Sequence, residues 1–316
     1  MMPTRQEKAV LDIIDKSLRN YASHIEVPTL MAPSALQNLV TRGINENPEW
    51  FYVKGFKTLY SPVAGVLYPD YVYSRKQAQE LFSRCESTAI RLVQRITERD
   101  AYSQALRAHD FLARNVVYED TGEREDHTII GPFVHKKCVC EGYAKAFKYM
   151  LDKLHIPCLV VIGTGYDQSL GTEGAHAWNL AQINGQWTHI DVTFDTTIRG
   201  DAALRYDYFG LSTEEILRDH SYSTENYPTA DGKEYGYYRR NNLGMYKREQ
   251  LKDLIVSGLR HGQIDFAFQL PATIKEEGLK EEVFSEIESI LIDRCVYRGF
   301  SGGFNLRQRV FQIHLN

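Results

Sequence analysis

The sequence predicts an α+β fold, and three stretches carry that expectation. Behind Cys140 the apolar residues Tyr143, Ala146, Phe147, Met150, Leu151 and Leu154 recur at helical spacing. Cys158-Leu-Val-Val-Ile162 is a short β-branched run of the kind that forms a buried strand. Residues 176–183 and 186–194 read as two strands on either side of Asn184-Gly185, the strongest short-range signal for a hairpin.

Taken from the start, residues 4–24 place Ala9, Val10, Ile13, Ile14, Leu18 and Tyr21 at helical spacing, and Ser34 reads as the cap of a second helix reaching Val40. Residues 47–53 and 59–73 are rich in aromatic and β-branched side chains and predict several strands. Arg75 to Arg99 is a long amphipathic helix in which Cys85 packs as a small hydrophobe. A helix from Ala101 to Asn115 follows and leads into Val116-Val-Tyr118. Residues 119–137 read as a polar loop that holds His127 and His135. The helix that begins at Cys140 ends near His155, because Pro157 cannot continue it. Gly163-Thr-Gly165 reads as a turn closing the strand after Cys158, too short for a nucleotide fingerprint. Thr213 with Glu214 and Glu215 starts a short helix, and residues 221–242 lack periodicity and read as a loop or linker. From Lys247 the pattern changes to helix 247–259, strand 263–269, helix 274–292 and strands at 296–300 and 310–315, an α/β appendage with a structural Cys295.

A chain of 316 residues with 43% hydrophobic residues has material for an ordinary core. The net charge of −4, with both signs interspersed, lacks the footprint of a nucleic-acid binder. Five cysteines form no disulfide framework, and an odd count leaves one free, which points to a reducing compartment. The first residues lack an apolar signal core and no stretch approaches membrane-spanning length, so the chain as given is expected in the cytoplasm, without a membrane partner.

Chemistry concentrates between Cys138 and Asp195. Cys140 sits at a helix N-terminus, where unpaired N–H groups and the dipole favour a thiolate, the nucleophilic form. With a two-residue turn, Ile183 faces Gln186, and counting back sets His176 opposite Thr193 and Trp178 opposite Asp191. His176 and Asp191 are then diagonal neighbours on one face, within reach of each other, and a slip of one residue would separate them. That gives a nucleophile, a base and an orienting carboxylate. Each residue alone is more often structural; their joint placement is what favours catalysis. His135, Cys138 and Cys140 lack the spacing and the fourth ligand of a zinc site, so no metal is expected and Cys138 reads as structural. Trp178, beside His176, reads as a buried or cleft residue that excludes water, and His127 as a cleft or oxyanion contact set against an ordinary solvated histidine.

Val-Cys-Glu-Gly-Tyr-Ala-Lys-Ala-Phe at 139–147, His-Ala-Trp-Asn at 176–179 and His-Ile-Asp-Val-Thr-Phe-Asp at 189–195 resemble the bacterial transglutaminase-like superfamily of papain-type thiol enzymes. Asn47-Pro-Glu-Trp is similar to a segment of its cytokinesis-type branch, and residues 206–220 resemble the segment that closes the core. The resemblance implies a papain-like core at about 100–230, between an N-terminal helical and β region at 1–99 and the appendage at 245–316. It makes Cys140 the nucleophile, His176 the base and acid, and Asp191 the orienting carboxylate. It also assigns part of the substrate site to 119–137, where Ile130 stands in place of the family's frequent tyrosine before Gly131. The implied function is cysteine-dependent acyl transfer on a protein or peptide amide, with hydrolysis favoured and no metal or organic cofactor. The alternatives are cross-linking to a lysine amine and a non-catalytic module that holds a peptide. The oligomeric state is not legible.

Overall fold

Thr4 and Glu7 form a capping box that opens α1 (Arg5–Arg19), whose Val10, Ile14 and Leu18 point inward. These are the first elements of a computed structural model that describes residues 4–28, 31–60, 64–167, 171–197, 204–244, 249–294, 296 and 299–316. Lys247 and Cys295, named above, lie outside the described residues.

After β1 (Ile25–Pro28), α2 (Pro33–Glu46) starts with a proline in its first turn and no side-chain cap. Ser34 is therefore inside the helix and does not cap it, since Pro33 already supplies a fixed φ and lacks the N–H a cap would satisfy. β2 (Val53–Tyr60) and β3 (Ala64–Tyr71) pair antiparallel, with β1 on the other edge of β3. α3 (Arg75–Val93) is capped by Ser74 and Gln77 and stops short of Arg99. Its end tightens there, with Arg95 and Ile96 donating to the carbonyls three residues back.

α4 (Ala101–Asn115), capped by Asp100, leads to β4 (Val117–Tyr118), which runs parallel to β5 (Lys137–Cys138). The segment between them is not the solvated loop its polar letters suggested. It holds a 3₁₀ turn at Arg124–His127 and a π turn at Gly131–His135, and it buries Ile129, Ile130 and Phe133. The Asp126 carboxylate, accepting from the Thr121 N–H and hydroxyl at 2.7 and 2.6 Å, holds it in place.

α5 (Cys140–Lys153) is central, with every residue from Gly142 to Leu151 buried. Two of these are lysines. Lys145 reaches Glu141 at 2.6 Å, and Lys148 reaches Asp152 at 3.0 Å and the Cys158 carbonyl at 2.9 Å, so both charges are paired. Behind α5 lies a five-stranded antiparallel sheet, β6 (Cys158–Asp167), β7 (Thr172–Ile183), β8 (Gln186–Ile190), β9 (Phe209–Leu211) and β10 (His220–Ser221), in the order β10-β6-β7-β8-β9. α6 (Val192–Thr197) and α7 (Thr213–Ile216) join its strands, α7 being capped by Ser212 with Glu215. Residues 221–242 pack where a linker was expected, burying Ala230, Tyr235 and Tyr238, the last from the short α8 (Tyr237–Arg240).

α9 (Gln250–Arg260), β11 (Asp265–Gln269), α10 (Leu279–Asp293), β12 (Phe300–Asn305) and β13 (Val310–Leu315) complete the chain, with strand order β11-β13-β12. One hydrophobic cluster joins α1, α2, α3, α4 and α5 to the large sheet, and a second gathers the C-terminal helices and strands. The architecture is α+β, as expected from the sequence.

Candidate active site

Cys140 is the first residue of α5, after an extended Val139, so the N–H groups of this first turn lack intrahelical partners. Its half-buried side chain packs with Ala144, Val160 and Ala177. His176 faces it from β7, where it is the register partner of Gly163 in β6. The Asn179 side chain donates to the Ala144 carbonyl at 2.9 Å, tying the strand that carries His176 to the helix that carries Cys140.

The glycines of the expected turn at 163–165 lie inside β6, because β10 and the His176 ring come too close for a side chain. A Cβ on Gly163 would meet the Ser221 carbonyl oxygen at 2.1 Å, and one on Gly165 would meet the Phe194 ring at 2.8 Å and His176 at 3.2 Å. The real turn is Asn184-Gly185, both with positive φ (50° and 85°), as a type I′ hairpin requires. Ile183 faces Gln186 in it, and the register runs on to Asn179 opposite Ile190.

There the strand stops, which corrects the expected run to Phe194 and its pairing of His176 with Thr193. Asp191 ends the strand by accepting the Phe194 N–H on Oδ1 at 3.1 Å, opening α6. Its Oδ2 is left free to accept from His176 Nε2 at 2.6 Å. Both side chains are buried. Burial opposes a charge on His176, but the Asp191 charge, the hydrogen bond to it and the neighbouring Cys140 thiol outweigh burial and push its pKa up to about 10. Burial likewise opposes ionisation of Asp191, and the two histidines beside it hold its pKa well below the usual carboxylate range. With Nε2 engaged by Asp191, Nδ1 is the His176 ring nitrogen left for Cys140, whose thiol neighbours that ring.

The second of those histidines was not singled out in the sequence. His220 Nε2 lies 3.0 Å from the same Asp191 Oδ2, and its Nδ1 lies 2.7 Å from Asp219 Oδ1. No motif announces it; an Asp-His pair at the end of a segment reads as two solvated side chains until β10 brings it beside β6. Trp178 stacks on His176 with ring centroids 5.9 Å apart and meets His220 edge-on at 4.8 Å. At 1% exposure it is a wall behind the histidines, not a surface open to a substrate. Its indole N–H donates to His189 Nδ1 at 3.0 Å, and burial brings the His189 pKa down to about 3, which keeps that acceptor neutral.

His127 is half-exposed, with Nδ1 3.1 Å from the carboxylate of Glu141, the residue after Cys140. Cys138 is buried, and burial pushes its thiol far up in pKa, while His135 pairs with Glu125 at 3.4 Å. Among the described residues, His176, Asp191 and His220 are grouped closely enough for metal ligation, within 4.8 Å of one another. Both imidazole Nε2 atoms meet one carboxylate oxygen at hydrogen-bond distance, which is the geometry of shared protons and not of three ligands converging on an ion.

A half-buried thiol at a helix start, a histidine on a strand and a buried carboxylate just beyond the next strand are thus brought together in that chain order. Residues 90–192 match the family model of the transglutaminase-like superfamily, so the chain contains a transglutaminase-like domain. In an alignment 104 positions long that covers 29% of this chain, it is 31% identical to the kyphoscoliosis peptidase of Homo sapiens and 30% identical to that of Mus musculus. It spans 16% of the length of each of these relatives. Among solved structures it is similar to a TGase at 13% identity, with a TM-score of 0.32 over 54% of this chain and 51% of that one. It is also similar to the periplasmic domain of TgpA from Pseudomonas aeruginosa, at 18% identity and a TM-score of 0.27 over 42% and 55% of the two chains. Among the described residues no helix is long and apolar enough to cross a membrane.

Proposed function

We propose that this protein is a cysteine-dependent enzyme that transfers an acyl group from a peptide or related amide, with water as the preferred acceptor. The observation that carries the reading is the buried 2.6 Å contact of His176 Nε2 with Asp191 Oδ2, made while the same imidazole neighbours the thiol at the head of α5. The superfamily, generally one of cysteine proteases and transglutaminases, supports it.

In this reading the Cys140 thiolate attacks the amide carbonyl, and the oxyanion is held in part by the Cys140 N–H at the helix N-terminus. His176, charged and oriented by Asp191, gives its Nδ1 proton to the leaving amine. Water then enters, loses a proton to His176 and releases the acid from the thioester. Trp178, packed under His176, keeps bulk water from that side of the ion pair. His127, exposed beside Glu141, lines the approach to the thiol. An amine in place of water would give a cross-linked product by the same steps.

The test is the rate of Cys140 alkylation against pH, read by intact mass and peptide mapping in the parent and in His176→Ala. Labelling of Cys140 well below the free-thiol range, lost in the variant, is the expected result. Cys85, whose thiol burial pushes up to about 12, is the internal reference. If Cys140 labels no faster than Cys85 and the variant changes nothing, the enzyme reading fails and a peptide-holding module replaces it. Turnover of a peptide library with and without an added alkylamine then separates hydrolysis from amine transfer.

A further inference from the structure

His220 stands between two buried carboxylates, and the second belongs to a chain of contacts that leaves the catalytic sheet. Asp219 Oδ2 accepts from the Tyr208 hydroxyl at 2.7 Å, and the Gln308 Nε2 lies 3.4 and 3.3 Å from its two oxygens. The Tyr208 hydroxyl in turn accepts from Asn305 Nδ2 at 3.0 Å. Asn305 ends β12, and its Oδ1 accepts the Gln308 N–H at 3.1 Å to form the turn before β13. Asn305 and Gln308 are only 3% and 0% exposed, although one precedes and the other sits in a turn, because that turn is inserted against the core. Gln308 also donates to the Glu215 carbonyl at 3.1 Å and accepts from Arg218 at 3.3 Å.

The donors around His220 point to its state. Asp191 accepts from His176, His220 and the Phe194 N–H, and Asp219 faces Tyr208, Gln308 and His220. The Tyr208 hydroxyl spends its proton on Asp219, since it receives one from Asn305. Where both carboxylates only accept, both nitrogens of His220 donate, which makes His220 an imidazolium between them. The other titratable groups near its ring are His176, Tyr208 and His189; Trp178 and Phe194 close the remaining sides.

We propose that His220 is a positioning residue of the Cys140 site: anchored through Asp219 by the turn of the C-terminal sheet, it holds Asp191 against His176, so the C-terminal unit completes the site. The proposal rests on Cys140, His176 and Asp191 being the catalytic group. Without the cation, Asp191 and Asp219 would face each other in a buried space, and Asp191 would swing or take up a proton. Either change loosens His176.

The test uses the full chain and compares the parent with His176→Ala, His220→Gln and Tyr208→Phe. Cys140 alkylation is followed from about pH 5 to 9, which spans the free histidine and thiol ranges. His220→Gln, which keeps one donor and loses the charge, is expected to slow labelling on the acid side by about tenfold or more, the worth of one charge-assisted hydrogen bond, and to move the profile toward that of His176→Ala. Tyr208→Phe, which removes one donor from Asp219, is expected to slow it by roughly threefold. Nitrogen-15 spectra of the parent are expected to show both ring nitrogens of His220 protonated throughout this range. Profiles of both variants lying on that of the parent, or a neutral His220 tautomer, would overturn the proposal. Should His220→Gln not fold, Tyr208→Phe and the spectra decide it. If instead the parent and His176→Ala coincide, the catalytic reading is what fails, and the His220 signals still report on the contact chain.

Discussion

Asp191 divides its two oxygens between a helix and a histidine, and its substitution separates those tasks. Asp191→Asn keeps the size and an oxygen for the Phe194 N–H, but it removes the charge that holds His176 protonated. Its expected effect on amide turnover is a loss on the order of 10³-fold or more, with little change in KM, since the carboxylate acts on charge development and not on substrate binding. The same pair predicts a pH dependence of stability. His176 is raised from 6.5 to about 10, so its contribution is complete below pH 6.5 and is lost as pH rises through 10. Asp191 is lowered from 3.8, so its contribution is complete above that value and is lost as pH falls below it. The difference in urea midpoint between the parent and Asp191→Asn is therefore expected to be widest between pH 3.8 and 6.5 and to narrow on both sides. A difference that is flat in pH would show that the pair is not charged. The nearness of His176 and Asp191 was legible, because an Asn-Gly turn fixes a count and a count fixes which side chains share a face. His220 was not, because nothing periodic links residue 220 to residue 191.

At the scale of elements, two glycines two residues apart in β6 do different work. Gly163 has a backbone oxygen of β10 where a Cβ would go, whereas Gly165 has side-chain rings, the tip of Phe194 and the flank of His176. A carbonyl held in a strand cannot yield, so Gly163→Ala is expected to destabilise the protein by roughly 3 kcal/mol or more and to unzip β10, which carries His220. A ring can tilt. Gly165→Ala is therefore expected to cost only about 1–2 kcal/mol but to slow Cys140 alkylation, because the ring that tilts is His176 or its neighbour. Thermal melts read beside alkylation rates check both, and the reverse ranking would mean that β10 gives way more easily than the rings. These glycines were read from sequence as a turn because Gly-Thr-Gly carries no sign of what packs over it. The short helix at 192–197 was hidden for a related reason. Val-Thr-Phe has strand propensity, and it took the Asp191 side chain, capping at 3.1 Å, to override it.

Across the whole molecule, the C-terminal strands meet the catalytic sheet and the segments beside it at a seam that is polar. Gln312 donates to the Leu204 carbonyl at 3.1 Å, and Gln308 and Asn305 reach into the groups behind His220. The C-terminal helices and β13 were readable from their own apolar repeats, which report local burial. The seam was not, since a buried Asn or Gln in a turn has the same letters as a solvated one. Such a seam gains little from area and depends on each bond being made, so losing one leaves its buried partners short. Gln308→Ala is expected to destabilise the chain by about 1–3 kcal/mol, because the Asp219 carboxylate, the Glu215 carbonyl and Arg218 each lose a contact. The loss should be uneven. Amide exchange of β12 and β13 is expected to quicken more than that of α5, which is packed by the other cluster. If the C-terminal sheet only decorated the core, Cys140 alkylation would be untouched by this change. If its turn supports Asp219 as the contacts suggest, alkylation slows in step with the exchange of β13, and restoring the amide donor with Gln308→Asn recovers part of both.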